Sequence, residues 1–496
     1  MNTKGSMKIL KGVEEIEELG ADLLQDESNL SGAWCSMAAW PEKAEDVKEF
    51  VNICLDEGMK LTVSGATTGI AGGALPEGGA VLSTTQLKGI RMLNGPCLRA
   101  GAGVTVQEID DFLESAGRGL FYPPDPTEDT ASLGGTVATD ASGSDSYLYG
   151  STRRWIRSLQ LVTPEGDLLR INRGEHTFRE LVCTHPVLGR IELPELSRPQ
   201  PGKNAAGYFM HPGMDLIDLL IGSEGTLGIV TEADLILARE PEFLMELAVF
   251  PESEESFWKL YRSLLSPPSP VKVRTLEMMD GRCIDFLRHH PGELPPPPEE
   301  AEYVLLIKTE AESEDELDET LMALDEMITA AGVDPDSAWG GFEPSEIEKI
   351  KDFRHALPES VNRRISDIRR EQPSIHKFGS DGAVAPERLR TYYNRVRDIL
   401  EKKNLPHVIF GHAGQGHLHA NAIPENEEEM ELAEEAMYEI AAAAVEMGGT
   451  VSAEHGLGRL KLKYLELMYT EDEIRGMRRI RSTMDPDSLL APEIRF

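Results

Sequence analysis

Three histidines lie close together in the stretch VIFGHAGQGHLHA, in a chain that has 12 histidines among 496 residues. In a regular strand His417 and His419 would share a face and His412 would point to the opposite one, because side chains alternate along a strand. A helix would align His412 with His419, but the intervening glycines disfavour a helix. A bend at Gly414 or Gly416 could bring His412 round to the others. The spacing alone does not choose between these pairings.

A second segment, VSAEHGLGRLK, places Glu454 and His455 beside two glycines. Imidazole nitrogens and one carboxylate can hold Zn²⁺, Fe²⁺ or Mn²⁺ and leave coordination positions for a substrate. The competing interpretation is that these histidines only form hydrogen bonds within a turn or a core. The residue types therefore indicate a metal site without excluding a purely structural role.

Three glycine clusters lie in the first half of the chain. The first, SGATTGIAGGALP, follows a predicted strand and interleaves its glycines with Ser64, Thr67 and Thr68. The other two contain Gly134, Gly135 and Gly143, and Gly222, Gly225 and Gly228. Glycines let a backbone approach a pyrophosphate closely, and exposed N–H groups and hydroxyls can bind its oxygens. The first cluster lacks the G-x-G-x-x-G spacing of a Rossmann fold. Together the clusters predict several backbone strips that line one long anionic ligand.

The elements that must position these residues are mixed. PEKAEDVKEFVNICLDEGM has apolar residues at helical spacing, KLTVSG is typical of a strand entering a glycine turn, and RSLQLVTPEGDLLRI predicts a hairpin around PEGD. Helix-favouring stretches such as ESEDELDETLMALDEMITAAG are frequent in the second half. We expect an α+β protein whose architecture changes near residue 240. The proline run PGELPPPPEEAEY is expected to be a surface loop and MNTKGSM a disordered terminus.

The composition limits the partners and the compartment. The formal net charge of −37 argues against nucleic acid and anionic membrane surfaces and is compatible with a basic protein partner. The five cysteines are scattered singly, which predicts neither a disulfide framework nor a bound iron–sulfur cluster. The sequence has no apolar run near the roughly 20 residues of a transmembrane helix, and its first 20 residues contain no secretory h-region. We expect a cytoplasmic protein, peripheral to a membrane only through a partner.

The glycine segments resemble the flavin-binding signatures of the vanillyl-alcohol-oxidase or PCMH-type FAD-linked oxidoreductases, in particular the D-lactate/glycolate/D-2-hydroxyglutarate dehydrogenase branch. The motifs agree in order from about residue 35 to the closing MDPDSLLAP. The resemblance implies an α+β fold with a PCMH-type FAD-binding domain of two α/β subdomains, an α+β cap domain with an antiparallel sheet, and a C-terminal helical segment returning to the flavin. The implied boundaries are 1–34 for an N-terminal segment, then 35–239, 240–435 and 436–496 for these three parts.

The resemblance also implies FAD as the cofactor and indicates which residues bind it. The implied FAD-binding residues are Ser64, Gly65, Ala66, Thr67, Thr68, Gly69, Pro124, Gly134, Gly135, Thr139, Gly143, Gly222, Glu224 and Ile229. Two nearby positions depart from the family pattern. Asp140 stands where asparagine is frequent, and Ala491 replaces the asparagine that usually precedes the last proline.

The segments GHxGxGxLH and EHGxG resemble the metal motifs of the hydroxyacid dehydrogenases. They imply a divalent metal, Zn, Fe or Mn, and the implied ligands are His412, His419 and Glu454. His455 becomes the implied catalytic base. The family usually has aspartate and asparagine where this chain has Gln415 and His417. His417 is therefore open to three roles: a substrate-facing group, an additional ligand, or a donor that supports a ligand.

Two cations are implied to bind the substrate carboxylate, Arg354 and Lys377, although on residue type alone any single arginine in this segment is expected to be a solvated surface residue. The implied reaction is oxidation of a D-2-hydroxy acid such as D-lactate or glycolate to the 2-oxo acid, with hydride transfer to flavin N5. Electrons would pass to a quinone or to a protein acceptor: electron-transfer flavoprotein, an iron–sulfur subunit or a cytochrome. A homodimer or a larger redox complex is compatible with this interpretation. The alternatives are a metal-independent flavin alcohol oxidase and an FAD electron-transfer subunit.

Overall fold

A computed structural model describes residues 7–126, 128–290 and 296–496 of the chain. The chain divides into two compact units. Unit 1 consists of Met1–Gly143, Gly150–Glu240 and Glu454–Phe496, and unit 2 of Ser144–Tyr149 and Pro241–Ala453. Residues 1–6 and 291–295 lie outside the described residues. The disorder predicted for MNTKGSM and the loop predicted for the start of the proline run therefore stay predictions.

Unit 1 contains two main sheets. The first has, in spatial order, Lys8–Lys11, Met37–Trp40, Ala80–Ser83 and Leu61–Ser64, with the last three parallel. The second is antiparallel and has, in spatial order, Ile90–Met92, Cys97–Gly101, Ile229–Ile236, Ile156–Val162 and Leu168–Asn172. Two small pairs are Leu120–Phe121 with Ala238–Arg239, and Val182–His185 with Gly189–Glu192. The described α-helices are Val13–Leu19, Ala44–Glu57, Val106–Ala116, Leu133–Thr139, Thr152–Trp155, Leu216–Leu220, Leu465–Met468 and Glu471–Met484.

Short-range sequence signals account for several of these elements. The helix Ala44–Glu57 buries Val47, Phe50, Val51 and Cys54, which recur at helical spacing, and it ends where Gly58 adopts a left-handed conformation. The predicted strand is Leu61–Ser64, and the predicted hairpin is Ile156–Val162 with Leu168–Asn172. These three predictions are confirmed, as is the α+β class.

Unit 2 is built on one antiparallel sheet. Its strands, in spatial order, are Trp339–Gly341, Phe243–Val249, Val304–Ala311, Lys272–Met279, His407–Gly411, His417–Ala422 and Phe378–Gly379, with Gly382–Ala383 also paired to His417–Ala422. The described α-helices are Ser146–Tyr149, Glu254–Leu264, Gly281–Arg288, Glu314–Ala331, Pro344–Arg369, Leu389–Lys402 and Glu427–Glu446. No described helix of either unit has the length and apolar character needed to cross a bilayer.

Both faces of the central part of this sheet are buried. Along Val304–Ala311, Leu305 and Ile307 belong to one hydrophobic cluster, whereas Val304 and Leu306 belong to another. This alternation follows from the two-residue period of a strand. The first half of the strand, Val304–Ile307, is therefore a continuous apolar run, and the buried sheet supports the hairpin that carries the histidines.

A short segment from the first third of the chain, Ser144–Tyr149, belongs to unit 2. The Asp145 carboxylate accepts hydrogen bonds from Arg274 Nε at 2.7 Å, Thr275 Oγ1 at 2.8 Å and Lys308 Nζ at 3.1 Å. Burial opposes ionisation of Asp145, but Lys308 and Arg274 outweigh it and lower the pKa of the carboxyl. A buried charge network thus attaches the segment to the sheet.

A second buried acid, Asp280, caps the helix Gly281–Arg288. Its side chain accepts a hydrogen bond from the Cys283 N–H at 3.1 Å, and its own N–H donates to the Ile409 carbonyl. Burial raises the pKa of Asp280 to about 6. The folded protein therefore binds more protons than the unfolded chain between about pH 4 and 6, and this group's contribution to stability falls as the pH rises through that range.

We expect Asp280→Asn to stabilise the protein at pH 8 by about 2 kcal/mol and to have little effect at pH 4. Asparagine keeps the N-cap acceptor but removes the buried charge. The measurement is the thermal midpoint of both proteins across this pH range. Asp334→Asn, at an exposed N-cap in the same unit, is the control for replacing an N-cap carboxylate outside a buried site. A difference in thermal midpoint between the wild type and Asp280→Asn that does not change with pH would contradict the prediction.

Candidate functional site

The first glycine loop leaves the strand Leu61–Ser64 and packs against Ser132. A Cβ added at Gly65 would lie 2.5 Å from Ser132 Oγ, and the Ala66 N–H donates to the same oxygen at 3.3 Å. At Gly69, in contrast, no described atom lies within 4 Å of an added Cβ. A side chain at position 65 would therefore displace the Ser132 hydroxyl, whereas position 69 faces open space.

The second glycine segment approaches the backbone even more closely. The Gly134 N–H donates to the Ala102 carbonyl at 2.8 Å, and a Cβ added at Gly134 would lie 2.9 Å from Ala102 Cβ. A Cβ at Gly143 would lie 1.6 Å from the Asp125 carbonyl oxygen. These glycines are needed for close packing of the chain, whatever ligand the segment binds.

The third glycine segment contacts the second. The Gly222 N–H donates to the Val137 carbonyl at 2.9 Å, and the Glu224 N–H donates to the Ala138 carbonyl at 2.8 Å. Glu224 has a left-handed φ of 52°. Three sequence-distant segments, which contain most of the predicted FAD-binding residues, thus meet within unit 1. The predicted FAD-binding residues not described above also lie in unit 1: Ser64, Thr67, Thr68, Pro124, Gly135, Thr139 and Ile229.

The carboxylate of Glu224 binds the loop that follows His455. Its two oxygens accept hydrogen bonds from the Leu457 N–H at 3.0 Å and the Gly458 N–H at 2.7 Å. Burial raises the pKa of Glu224 although both N–H groups oppose that rise. Glu224, predicted as an FAD-binding residue, therefore links the third glycine segment to the loop after His455 within unit 1.

The two departures from the family pattern occupy left-handed backbone conformations. Asp140 has a φ of 53°, and its carboxylate accepts from the Arg153 N–H at 2.8 Å and from Arg153 Nε at 2.9 Å. Aspartate and asparagine both tolerate this conformation. Asp140 therefore allows the same backbone conformation as asparagine would, and it adds an ion pair with Arg153. Ala491 has a φ of 41°, and its N–H donates to the Leu61 carbonyl. Nothing in the structure explains why alanine occupies that position.

Glu454 and His455 begin the last segment of unit 1. The Glu454 carboxylate is buried and accepts from Ser142 Oγ at 3.1 Å and from Lys203 Nζ at 2.5 Å. His455 is half-buried, and its Nδ1 lies 3.5 Å from Lys461 Nζ. Lys203 was not predicted from the sequence, because no local motif indicates it.

In unit 2 the three histidines converge because the chain turns between two paired strands. Phe410 pairs with His419, and the turn passes through a 3₁₀ segment, Ala413–Gln415. The centroid of the His412 ring lies 5.5 Å from that of His417 and 5.4 Å from that of His419, and the last two lie 4.3 Å apart. Each imidazole offers a ring nitrogen, and these nitrogens lie within 4.8 Å of one another. Of the arrangements that the sequence left open, the structure has the one in which a bend brings His412 to His417 and His419.

Two glycines make this turn possible. A Cβ added at Gly416, where φ is +67°, would lie 2.0 Å from the Val384 carbonyl oxygen. A Cβ at Gly411 would lie 2.5 Å from the His417 carbonyl oxygen. Tyr147 packs over the turn, since its ring atoms would lie 2.8–2.9 Å from a Cβ at Gly414. Glycine is therefore required here by contacts with backbone and with a ring, and not only by local flexibility.

Two buried carboxylates orient two of the histidines. His412 Nδ1 lies 2.7 Å from Glu277 Oε1, and His417 Nε2 lies 3.0 Å from Asp381 Oδ1. Such carboxylate–histidine pairs fix the tautomer and the ring plane, so that the opposite ring nitrogen presents its lone pair. Asp381 lies four residues after Lys377, in the stretch HKFGSD, but neither acid was singled out from the sequence. For Glu277 the only signal is a lone acid within the buried strand Lys272–Met279.

The second oxygen of Glu277 accepts a hydrogen bond from Arg354 Nε. Burial opposes ionisation of Glu277, but Arg354 and His412 hold the pKa of its carboxyl well below the usual range. Arg354, predicted to bind the substrate carboxylate, thus uses one of its N–H groups within the protein. Lys377, predicted for the same role, is exposed, and its Nζ donates to Asn362 Oδ1 at 2.6 Å.

Two family matches together span most of the chain. Residues 35–172 match the family described as "FAD binding domain", and residues 248–494 match "FAD linked oxidases, C-terminal domain". The chain is a PCMH-type FAD-linked oxidoreductase. The family resemblance and the FAD cofactor expected from the glycine segments are thereby confirmed.

Relatives of this FAD-linked oxidoreductase are similar over nearly its whole length. The glycolate oxidase subunit GlcD of Bacillus subtilis is 28% identical, with 91% of this chain and 87% of the relative covered. The D-lactate dehydrogenase of Archaeoglobus fulgidus is 26% identical, with 91% and 89% covered. The D-2-hydroxyglutarate dehydrogenase of Xanthomonas citri pv. viticola is 28% identical, with 92% and 88% covered.

The fold also matches a solved structure. An alkyldihydroxyacetonephosphate synthase superposes with a TM-score of 0.60 at 14% identity, covering 93% of this chain and 76% of that one. At this identity the likeness concerns the fold alone. It supports the predicted combination of an FAD-binding domain and a cap domain in this oxidoreductase.

We expect Glu277→Gln to destabilise the FAD-linked oxidoreductase by about 3 kcal/mol at pH 7, because it leaves the Arg354 charge buried without its counter-ion. The pKa of Glu277 is lowered in the folded state. Its stabilising contribution is therefore complete above the unfolded-state pKa of about 4.3 and is lost as the pH falls through the lower folded-state value. Urea unfolding at several pH values should show the difference between wild type and variant shrinking only below about pH 4.

The matched control is Glu425→Gln. Glu425 also pairs with an arginine of the helix Pro344–Arg369, but in that pair the side chains of Arg364 and Glu425 are 49% and 46% exposed. We expect that change to cost less than about 1 kcal/mol. Equal costs for the two substitutions would show that the Glu277 pair is not effectively buried.

Proposed function

We propose that this FAD-linked oxidoreductase oxidises a D-2-hydroxy acid, such as D-lactate or glycolate, to the corresponding 2-oxo acid. The observation that carries the proposal is the cluster of three imidazoles braced by buried carboxylates in the FAD-linked oxidase C-terminal region. The names of the relatives support the same substrate class, since three of them denote enzymes of glycolate, D-lactate or D-2-hydroxyglutarate.

The flavin contacts are assigned to the converging segments of unit 1. The proposed FAD-binding residues are Ser64, Gly65, Ala66, Thr67, Thr68, Gly69, Pro124, Gly134, Gly135, Thr139, Gly143, Gly222, Glu224 and Ile229. Bound FAD supplies the hydride acceptor. The open side of the loop at Gly69, where the protein leaves space for ligand atoms, supports the assignment of this loop to the pyrophosphate.

The metal ligands are assigned to His412, His419 and Glu454. The residues fit a divalent cation because the ring nitrogens of the hairpin lie within 4.8 Å of one another and a buried carboxylate orients His412. Bound Zn²⁺, Fe²⁺ or Mn²⁺ supplies Lewis-acid polarisation of the substrate hydroxyl. Glu454 contributes a buried carboxylate whose charge Lys203 already partly balances.

The remaining steps belong to side chains of the protein. His455 takes the hydroxyl proton at Nε2, because its Nδ1 faces Lys461. Arg354 binds the substrate carboxylate through its two terminal nitrogens, since its Nε donates to Glu277. Lys377 adds a point charge for the same carboxylate once it exchanges its hydrogen bond to Asn362.

We propose that the reduced flavin passes its electrons to an acceptor molecule. Of the two kinds of acceptor, we favour a protein over a quinone. The acceptor classes are an electron-transfer flavoprotein, an iron–sulfur subunit and a cytochrome. The formal charge of −37 supports a partner with a basic face, because complementary charge speeds encounter and selects partners. A cytoplasmic location, with membrane attachment only through such a partner, is part of the same proposal.

Anaerobic flavin reduction tests the substrate and the metal together. We expect D-lactate, glycolate or D-2-hydroxyglutarate to bleach the flavin absorbance band, and the L-enantiomers to leave it unchanged. After dialysis against a chelator the FAD should remain bound, reduction should slow by at least about 100-fold, and added Zn²⁺, Fe²⁺ or Mn²⁺ should restore it. His455→Asn should keep the FAD and slow reduction by about 10²–10⁴-fold.

Each outcome separates the proposal from its alternatives. Bleaching that survives complete metal removal would indicate a metal-independent flavin oxidase. A flavin that no 2-hydroxy acid reduces, but that exchanges electrons with a redox protein, would indicate an electron-transfer subunit. His211→Asn, in unit 1 and outside the proposed machinery, is the control for general effects of the His455 substitution.

The pyrophosphate assignment has its own test in Gly69→Ala. The added methyl group meets no described protein atom, so we expect the thermal midpoint of the apoprotein to be unchanged while FAD affinity falls at least about tenfold. The measurement is FAD titration of the apoprotein by flavin fluorescence quenching. Gly202→Ala, which also meets no described atom within 4 Å, should leave both quantities unchanged. Unaltered FAD affinity in Gly69→Ala would remove this loop from the binding site.

A further inference from the structure

We propose that His417 is an additional metal ligand, so that this protein offers three imidazoles where the family pattern has two and an asparagine. The inference rests on the metal site of the proposed function and concerns a residue particular to this chain. It chooses one of the three roles that the sequence left open for His417.

The position of the His417 ring supports ligation over a substrate-facing role. His417 is completely buried, in the strand His417–Ala422, and its ring centroid lies 4.3 Å from that of His419 and 5.5 Å from that of His412. Its ring nitrogen falls within the same 4.8 Å group as those of the other two.

The contact with Asp381 supports ligation over a merely supporting role. His417 Nε2 lies 3.0 Å from Asp381 Oδ1, and the other oxygen of Asp381 accepts from Ser452 Oγ at 2.6 Å. This is the arrangement by which proteins fix a metal-ligating imidazole, with the carboxylate on one nitrogen and the metal on the other. Nδ1 is therefore the ligating atom of His417. It parallels His412, where Glu277 holds Nδ1 and Nε2 is the ligating atom.

An extra imidazole changes the metal that the site prefers. Imidazole nitrogen suits Zn²⁺, Fe²⁺ and Co²⁺, whereas Mn²⁺ and Mg²⁺ are better served by oxygen ligands. Replacing an asparagine oxygen by an imidazole nitrogen therefore shifts selectivity toward the first group. We infer that this protein discriminates against Mn²⁺ more strongly than a site with two imidazoles does.

The test measures metal affinity and ligand identity on the FAD-loaded protein, freed of metal by a chelator. In competition with a chromophoric chelator, we expect His417→Asn to lose at least about 100-fold in Zn²⁺ affinity and less than about tenfold in Mn²⁺ affinity. Asp381→Asn should lose about 10–100-fold for Zn²⁺. His407→Asn, a buried histidine of the neighbouring strand whose Nδ1 contacts the Leu405 carbonyl, should leave both affinities unchanged.

A measurement on the wild type alone keeps the test valid if His417→Asn fails to fold. The Cu²⁺-loaded wild type should show magnetic coupling to three imidazole nitrogens. Coupling to only two, or Zn²⁺ affinity unchanged in His417→Asn, overturns the inference while leaving chelator-sensitive flavin reduction, and thus the proposed function, intact. A wild type that binds no divalent metal overturns the metal site of both proposals.

Discussion

One buried carboxylate, Glu277, sets the arrangement of the histidine hairpin. An isolated charge in such a place would be unfavourable by several kcal/mol, so Arg354 on one oxygen and His412 on the other are required together. The three groups contact one another, and these contacts favour one orientation of the His412 ring. The strand Lys272–Met279 and the helix Pro344–Arg369 are thereby joined at the site itself.

The hairpin depends equally on steric constraint. Gly411 and Gly416 lie where a Cβ would collide with backbone carbonyl oxygens, so the observed turn is open only to glycine at these two positions. His417 and His419 lie on one strand of the hairpin and His412 directly follows the other, so they have less freedom than histidines on a surface loop. A ligand set needs that rigidity to keep its geometry. Asp145, buried among cations, attaches the segment whose Tyr147 covers the turn.

Unit 1 uses carboxylates in the same way, to join separate segments of the chain. Glu224 binds two backbone N–H groups of the loop after His455, and Asp140 binds Arg153. Both acids have left-handed backbone conformations, and each carboxylate accepts hydrogen bonds from another part of unit 1. The proposed proton acceptor is thus held by a residue of a glycine segment that belongs to the FAD-binding part of the chain.

The sequence by itself determined the features that depend on short-range patterns. Helical spacing defined Ala44–Glu57, turn chemistry defined the hairpin around PEGD, and the order of the glycine and histidine motifs was enough to indicate the family and FAD. Only the tertiary structure decided that His412 turns toward His417, and that Glu277 and Asp381 are their partners. Those contacts depend on strand pairing, burial and charge balance between residues far apart in the chain, and no local pattern of residue types encodes them.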